Sequence, residues 1–137
     1  MKLPFSGGCL CGAVRYSCSV EPELMYYCHC SDCRKVSGAA FYPGVYVERK
    51  SFAVTGNLSS YFLTADSGRT IHRYSCPTCA GQIYSDKGAD TAMLSIKAGT
   101  LDDVSLFKPT IEIWAQSKVE WANLPSDLDS HKRGYGE

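Results

Sequence analysis

A chain of 137 residues that is 45% hydrophobic and 20% charged is sized for one soluble globular domain with a single core. Its 14 Lys and Arg balance 14 Asp and Glu, so a general electrostatic attraction to nucleic acid or anionic lipid is not expected. The N-terminal MKLPFSGGCL lacks an apolar signal core, and no run approaches the roughly 18 apolar residues of a membrane span; a cytoplasmic protein with no membrane association is expected.

In chain order, residues 14–20 alternate in polarity, which places Val14, Tyr16, Cys18 and Val20 on one face of a half-buried strand. Cys18 is accordingly expected to pack as a small hydrophobe. Further β-rich runs are expected over residues 24–28, 40–47, 51–55, 59–64, 70–75, 82–85, 92–97 and 110–114, separated by Gly, Asn, Asp or Pro. Gly56-Asn57 marks one break, and Ala65-Asp66-Ser67-Gly68 joins two of the runs as a hairpin loop would. Helix is confined to one turn after Ser31 and one after Thr100, where Thr100 reads as an N-cap ahead of Asp102 and Asp103. The pattern predicts an all-β fold, a two-sheet antiparallel sandwich with very little helix. No repeat or linker divides it: residues 1–126 are expected to form the domain and residues 127–137 a polar C-terminal tail outside the core.

A reducing cytoplasm removes structural disulfides and leaves metal binding, catalysis or plain burial as uses for cysteine. Of 8 cysteines, all but Cys18 fall into three tight clusters: Cys9 and Cys11; Cys28, Cys30 and Cys33; Cys76 and Cys79. A closed zinc site is tetrahedral and commonly built from two short cysteine pairs. Cys76 and Cys79 form one such pair; its partner is either Cys9 and Cys11 or two residues of the middle cluster. Taking Cys9 and Cys11 keeps Cys28, Cys30 and Cys33 together, whereas the other choice strands one middle thiol. Four plus three is the tidier partition, with two zinc ions per chain.

Three protein ligands leave one tetrahedral position for water or substrate, as in catalytic zinc sites. Three thiolates make such a zinc a poor generator of hydroxide and a better host for a soft thiol, held as its thiolate. Two readings compete: a second closed zinc completed by His29 or a distant ligand, and a cluster that is merely thiol-rich. His29 lies between Cys28 and Cys30 on extended chain, so its ring is expected to point away from their sulfurs and to pack or support. No P-loop, dinucleotide fingerprint or serine elbow occurs, which excludes the chemistry those motifs carry.

The whole pattern resembles the glutathione-dependent formaldehyde-activating enzyme family, which also includes centromere protein V. The resemblance rests on Gly8-Cys9-Leu10-Cys11-Gly12-Ala13-Val14-Arg15-Tyr16, on Cys28-His29-Cys30-Ser31-Asp32-Cys33-Arg34-Lys35 with Gly38-Ala39-Ala40-Phe41, and on Cys76-Pro77-Thr78-Cys79 with Gln82-Ile83-Tyr84. Gly99-Thr100-Leu101-Asp102-Asp103, Ile113-Trp114, Ser117-Lys118 and Trp121 extend it almost to the tail. It implies a two-sheet zinc-binding fold, a structural zinc on Cys9, Cys11, Cys76 and Cys79, and a catalytic zinc on Cys28, Cys30 and Cys33. It also implies a carbon–sulfur lyase or synthase that joins glutathione to formaldehyde or a related small carbonyl. The centromere protein V branch implies the alternative, a non-enzymatic zinc module for a protein or chromatin partner; a third reading is labile zinc binding.

One departure from the family pattern is Cys79-Ala80-Gly81, where Gly usually follows the second pair directly, so the left-handed turn there must be made otherwise. Glutathione carries two carboxylates, for which Arg34, Lys35, Arg73 and Lys118 are candidate partners, none distinguished from ordinary surface charge. His72 is expected to be packed or orienting. Trp114, Trp121 and Tyr61 are expected in the core, with a pocket wall as the alternative.

Overall fold

Period-two runs broken by turn residues become strands in the computed structural model, which describes residues 1–88, 91–125 and 127–135. In chain order these are β1 (Phe5–Gly8), β2 (Arg15–Cys18), β3 (Leu24–Cys28), β4 (Tyr42–Glu48), β5 (Phe52–Thr55), β6 (Ser59–Thr64), β7 (Thr70–Ser75), β8 (Gln82–Asp86), β9 (Met93–Lys97), β10 (Ile111–Ile113) and β11 (Asp129–Ser130). The α-helix, α1 (Ser31–Ser37), follows β3, and short 3-10 turns connect several strands. None of the described helices is long and apolar enough to cross a membrane.

Strands β1, β2 and β5 form a three-stranded sheet, and the other eight form a second sheet in the order β11-β10-β3-β4-β9-β8-β7-β6. The two inner faces meet in one core: Phe5, Val14, Tyr16 and Cys18 from the small sheet side pack with Val45, Val47, Ile83, Leu94 and Ile96 of the large one. Fully burying a Val or Ile side chain contributes roughly 1.5–3 kcal/mol, so this interface holds the sandwich together. Cys18 is fully buried, and burial pushes its thiol up to about 12. Val20 is 43% exposed because β2 ends at Cys18, two residues before the alternation does.

Four further features depart from the expected pattern. Strand β10 runs parallel to β3 and β11 parallel to β10, so the sheet is mixed at that edge. Strand β11 comes from the polar tail. Its side chains stay exposed, yet its backbone takes up the hydrogen-bonding edge of β10, with Asp129 N donating to Thr110 O at 3.2 Å and His131 N to Glu112 O at 2.9 Å. Edge pairing satisfies backbone groups whatever the side chains are. Residues 126, 136 and 137 of the expected domain boundary and tail lie outside the described residues. Strand β1 has no apolar alternation to announce it, and Gly7 is required by close approach: a Cβ there would sit 2.3 Å from Thr100 O and from the Tyr16 hydroxyl. Near Thr100 the cap falls later than expected. Asp103, not Thr100, accepts from Ser105 N at 3.1 Å and starts the 3-10 turn Val104–Leu106.

Candidate active site

The first cluster is assembled from two turns. Cys9 and Cys11 lie between β1 and β2, and Cys76 and Cys79 between β7 and β8; their four sulfurs all lie within 4.8 Å of one another. Backbone amides point at them, Val14 N donating to Cys9 Sγ at 3.3 Å and Thr78 N to Cys76 Sγ at 3.4 Å. The Val14 amide is the main cause that draws the Cys9 thiol down to about 6. Ala80 itself makes the left-handed turn after Cys79, at φ 62°, and its N–H donates to Cys76 O at 2.8 Å.

The second cluster is built by a strand end and a helix start. Cys28 closes β3, Cys30 caps α1, and Cys33 lies in the helix's first turn; the three sulfurs also lie within 4.8 Å of one another. Cys33 N donates to Cys30 Sγ at 3.2 Å, and Gly38 at φ 67° ends the helix in the left-handed conformation that glycine accepts without strain. The neighbouring Cys28 and Cys33 thiols draw Cys30 down to about 3. Its two cysteine neighbours, with burial, push Cys28 well up. Cys28 acts to lower Cys33, but Cys30 and burial prevail and raise it to about 12.

A tetrahedral zinc with Zn–S bonds of about 2.3 Å spaces its sulfurs about 3.8 Å apart. Cys9 and Cys11 are 3.6 Å apart, Cys11 and Cys76 3.7 Å, and Cys28 and Cys33 3.3 Å. Both clusters therefore fit a thiolate-bound metal ion, four donors in one and three in the other.

His29 points away from both neighbours' sulfurs. It is fully buried and its Nε2 lies 3.2 Å from Glu112 Oε2, while Nδ1 has no partner. Burial lowers the His29 pKa more than Glu112 raises it, so the ring is neutral, with Nε2–H donating and Nδ1 keeping its lone pair. Glu112 is held below the usual carboxylate range although burial opposes this, because His29 donates to it and the Lys118 ammonium lies 3.4 Å away. Lys118 is thereby engaged behind the cluster.

A cavity of about 460 Å³ opens over Cys28, Cys30 and Cys33. Its floor is the outer face of the large sheet, with Tyr26, Tyr42, Tyr46, Ser85 and Ser95; Arg69, Arg73 and Lys87 stand on the β7–β8 side, and Trp114, Gly134 and Tyr135 close another wall. Gly44 leaves the space that Tyr26 fills, since a Cβ there would lie 2.3 Å from the ring. Tyr26 and the Ser95 hydroxyl are hydrogen-bonded at 2.5 Å, and Tyr42 donates to Ser95 O at 2.9 Å. Trp114 reaches the cavity from a backbone at φ 55°, with its N–H donating to Arg133 O at 2.7 Å and the Arg133 guanidinium 4.7 Å from its ring.

The structure thus separates the residues singled out in the sequence. Of the four candidate carboxylate partners, Arg73 lines the cavity and Arg34, Lys35 and Lys118 do not. Trp114 lines it as well, whereas Trp121 and Tyr61 are exposed and belong neither to the cavity nor to the core. His72 is stacked between Phe62 and Tyr74, with ring centroids at 5.4 and 6.4 Å. Sequence reasoning missed the floor residues and the tail: a sheet face that is neither core nor solvent cannot be told from either by period alone.

A two-sheet β fold with one cysteine cluster at a pair of turns and a second in a cavity defines a class of candidate metalloproteins. The family model for the glutathione-dependent formaldehyde-activating enzyme matches residues 4–117, and the chain belongs to this family. No curated protein matches the chain in sequence. A solved structure of a Rhodobacter sphaeroides protein is similar, with 18% sequence identity and a TM-score of 0.53 over 92% of this chain and 98% of that one; the likeness is one of fold.

Proposed function

We propose that the protein is a zinc-dependent carbon–sulfur lyase or synthase acting in the cytoplasm on a small thiol adduct, with glutathione and formaldehyde or a related carbonyl as the substrate pair. One observation carries this beyond family membership: Cys28, Cys30 and Cys33 line a cavity of about 460 Å³, within the size range of small-molecule sites. Cys9, Cys11, Cys76 and Cys79 are absent from that lining, which suits a purely structural metal. Cys28, Cys30 and Cys33 would hold the zinc, which would supply a Lewis acid that favours a substrate thiol as its thiolate.

The chain's own residues position the partners. Ile113 and Trp114 wall the cavity beside the cluster. The Tyr26 and Tyr42 hydroxyls are occupied by Ser95, and burial pushes both phenols up, Tyr42 to about 12. They shape the floor rather than move protons. In the synthetic direction a carbon–sulfur bond forms between the thiol sulfur and the carbonyl carbon, the thiol loses its proton, and the carbonyl oxygen gains one; cleavage reverses each change. Holding both reactants in one cavity supplies the proximity term of the acceleration.

The test is zinc-dependent exchange between glutathione with formaldehyde and their adduct, measured above the spontaneous rate. Cys30→Ser is expected to lose one of two bound zinc ions and to slow exchange by on the order of 10²-fold or more. Retention of both metals with unchanged exchange refutes the catalytic assignment, and a zinc-loaded wild type no faster than solution leaves a binding module.

A further inference from the structure

Arg73 stands in β7 opposite Ser85 of β8 and shares the cavity with Cys28, Cys30 and Cys33. Other arginines have settled partners: Arg15 pairs with Asp102, and Arg49 with Asp86. The Arg73 side chain has no ion pair or hydrogen bond among the described residues, and its Nε is buried without any partner. Asp32 and Asp66 line the same cavity yet neither pairs with it. A guanidinium with an orphaned, buried N–H carries a desolvation cost that the fold leaves uncompensated. Arg73 lines the same cavity as all three cysteines, so a ligand held there can meet the guanidinium and the cluster together.

Two roles suit a cation there: offsetting the negative charge of the thiolate cluster, or receiving an anionic group of the substrate. The unpaired N–H groups distinguish them, because offsetting charge at a distance needs no hydrogen bond, whereas a guanidinium presents a planar fork of donors that matches a carboxylate in two-point contact. We propose that Arg73 is the carboxylate anchor of the cavity: the substrate is a thiol bearing a carboxylate, which takes the Arg73 fork while its sulfur reaches the Cys28–Cys30–Cys33 cluster. The thiol half of this statement rests on the proposed function; the carboxylate half rests on Arg73 alone.

The experiment measures binding, by calorimetry on the zinc-loaded protein, of glutathione and of its diethyl ester, which keeps the thiol and masks both carboxylates. Wild type is expected to bind glutathione at least about 10-fold tighter than the ester, a hydrogen-bonded charge being worth about 1.5–3 kcal/mol. Arg73→Gln is expected to weaken glutathione by about 10–100-fold and leave the ester unchanged, with zinc content intact; Arg73→Lys, which keeps charge but not the fork, recovers only part. Equal loss for both ligands in Arg73→Gln overturns the proposal in favour of charge compensation at the metal. No loss for either, or no glutathione binding by wild type, overturns it outright. Exchange activity measured on the same samples separates the two readings: Arg73-dependent binding of glutathione without turnover keeps the anchor and refutes the enzyme.

Discussion

Ala80 shows how a single residue departs from its family pattern without losing the geometry. Its φ of 62° is a conformation that favours glycine, and an L-residue held there carries about 1–2 kcal/mol of strain. Ala80→Gly is therefore expected to stabilise the metal-loaded protein by about 1 kcal/mol, less the extra freedom glycine gains when unfolded; denaturant unfolding checks this, and a destabilised variant refutes the strain account. Asp86 is the second residue whose surroundings make a quantitative demand. It accepts from Arg49 at 2.6 and 2.7 Å and from Gly88 N at 2.7 Å. The Arg49 guanidinium holds its carboxyl below the usual range. A depressed folded pKa contributes stability that is present above the unfolded value of about 3.9 and is lost as pH falls below it. Asp86→Asn is expected to cost about 1–3 kcal/mol at pH 7, and the gap from wild type should shrink by pH 3 in unfolding experiments. At this scale the seven clustered cysteines were legible from spacing, and so was the turn of the His29 ring away from the neighbouring sulfurs. Arg73 was not distinguishable from Arg34 or Lys35, because adjacency to Cys33 in the chain says nothing about which side chain shares its cavity.

At the scale of elements, β3, β6 and β7 keep the limits read from the sequence, since each is a β-rich run bounded by turn residues. The strands that escaped notice, β1 and β11, have four and two residues and exposed or glycine-rich sequences. They exist because neighbouring edges offered unpaired backbone groups, a tertiary cause. Packing between β3 and β4 is set by Gly44, which faces Tyr26 across the pair. Gly44→Ala is expected to drive the Tyr26 ring off Ser95 and into the cavity, costing about 1–3 kcal/mol in unfolding and reducing glutathione binding together with it. A stable variant with unchanged binding would show that the floor yields more readily than its close contacts imply.

Across the whole molecule the two cysteine clusters differ in what they connect. Cys9 and Cys11 belong to the small sheet's turn and Cys76 and Cys79 to the large sheet's, so a metal there ties one layer to the other across residues 12–75. The second cluster spans only residues 28–33, a loop that folding closes at small entropic cost. Structural zinc contributes on the order of 10 kcal/mol in small domains, comparable to the 5–15 kcal/mol that stabilises a typical protein. Cys79→Ser or exhaustive chelation is thus expected to abolish cooperative unfolding near room temperature. Cys30→Ser should leave a cooperative transition while removing exchange activity. Thermal unfolding monitored by circular dichroism, with metal content measured in parallel, checks both; equal destabilisation by the two variants would remove the division of labour.

The sequence by itself determined the local chemistry: strand alternation, the helix after Cys30, and two groups of thiols whose spacing lets a few residues of backbone converge their sulfurs. Local geometry suffices for the strands, the helix and the cluster within residues 28–33; the pairs Cys9/Cys11 and Cys76/Cys79 are each local, but their meeting is tertiary. Only the tertiary structure decided that the three-cysteine cluster, not the four-cysteine one, opens onto a cavity, and that Arg73 and Trp114 share it while Lys118 pairs with Glu112 behind the sheet. Those outcomes depend on strand order across eight strands, with β10 inserted parallel beside β3. That order arises from burial and edge pairing between segments far apart in the chain, which no local spacing encodes.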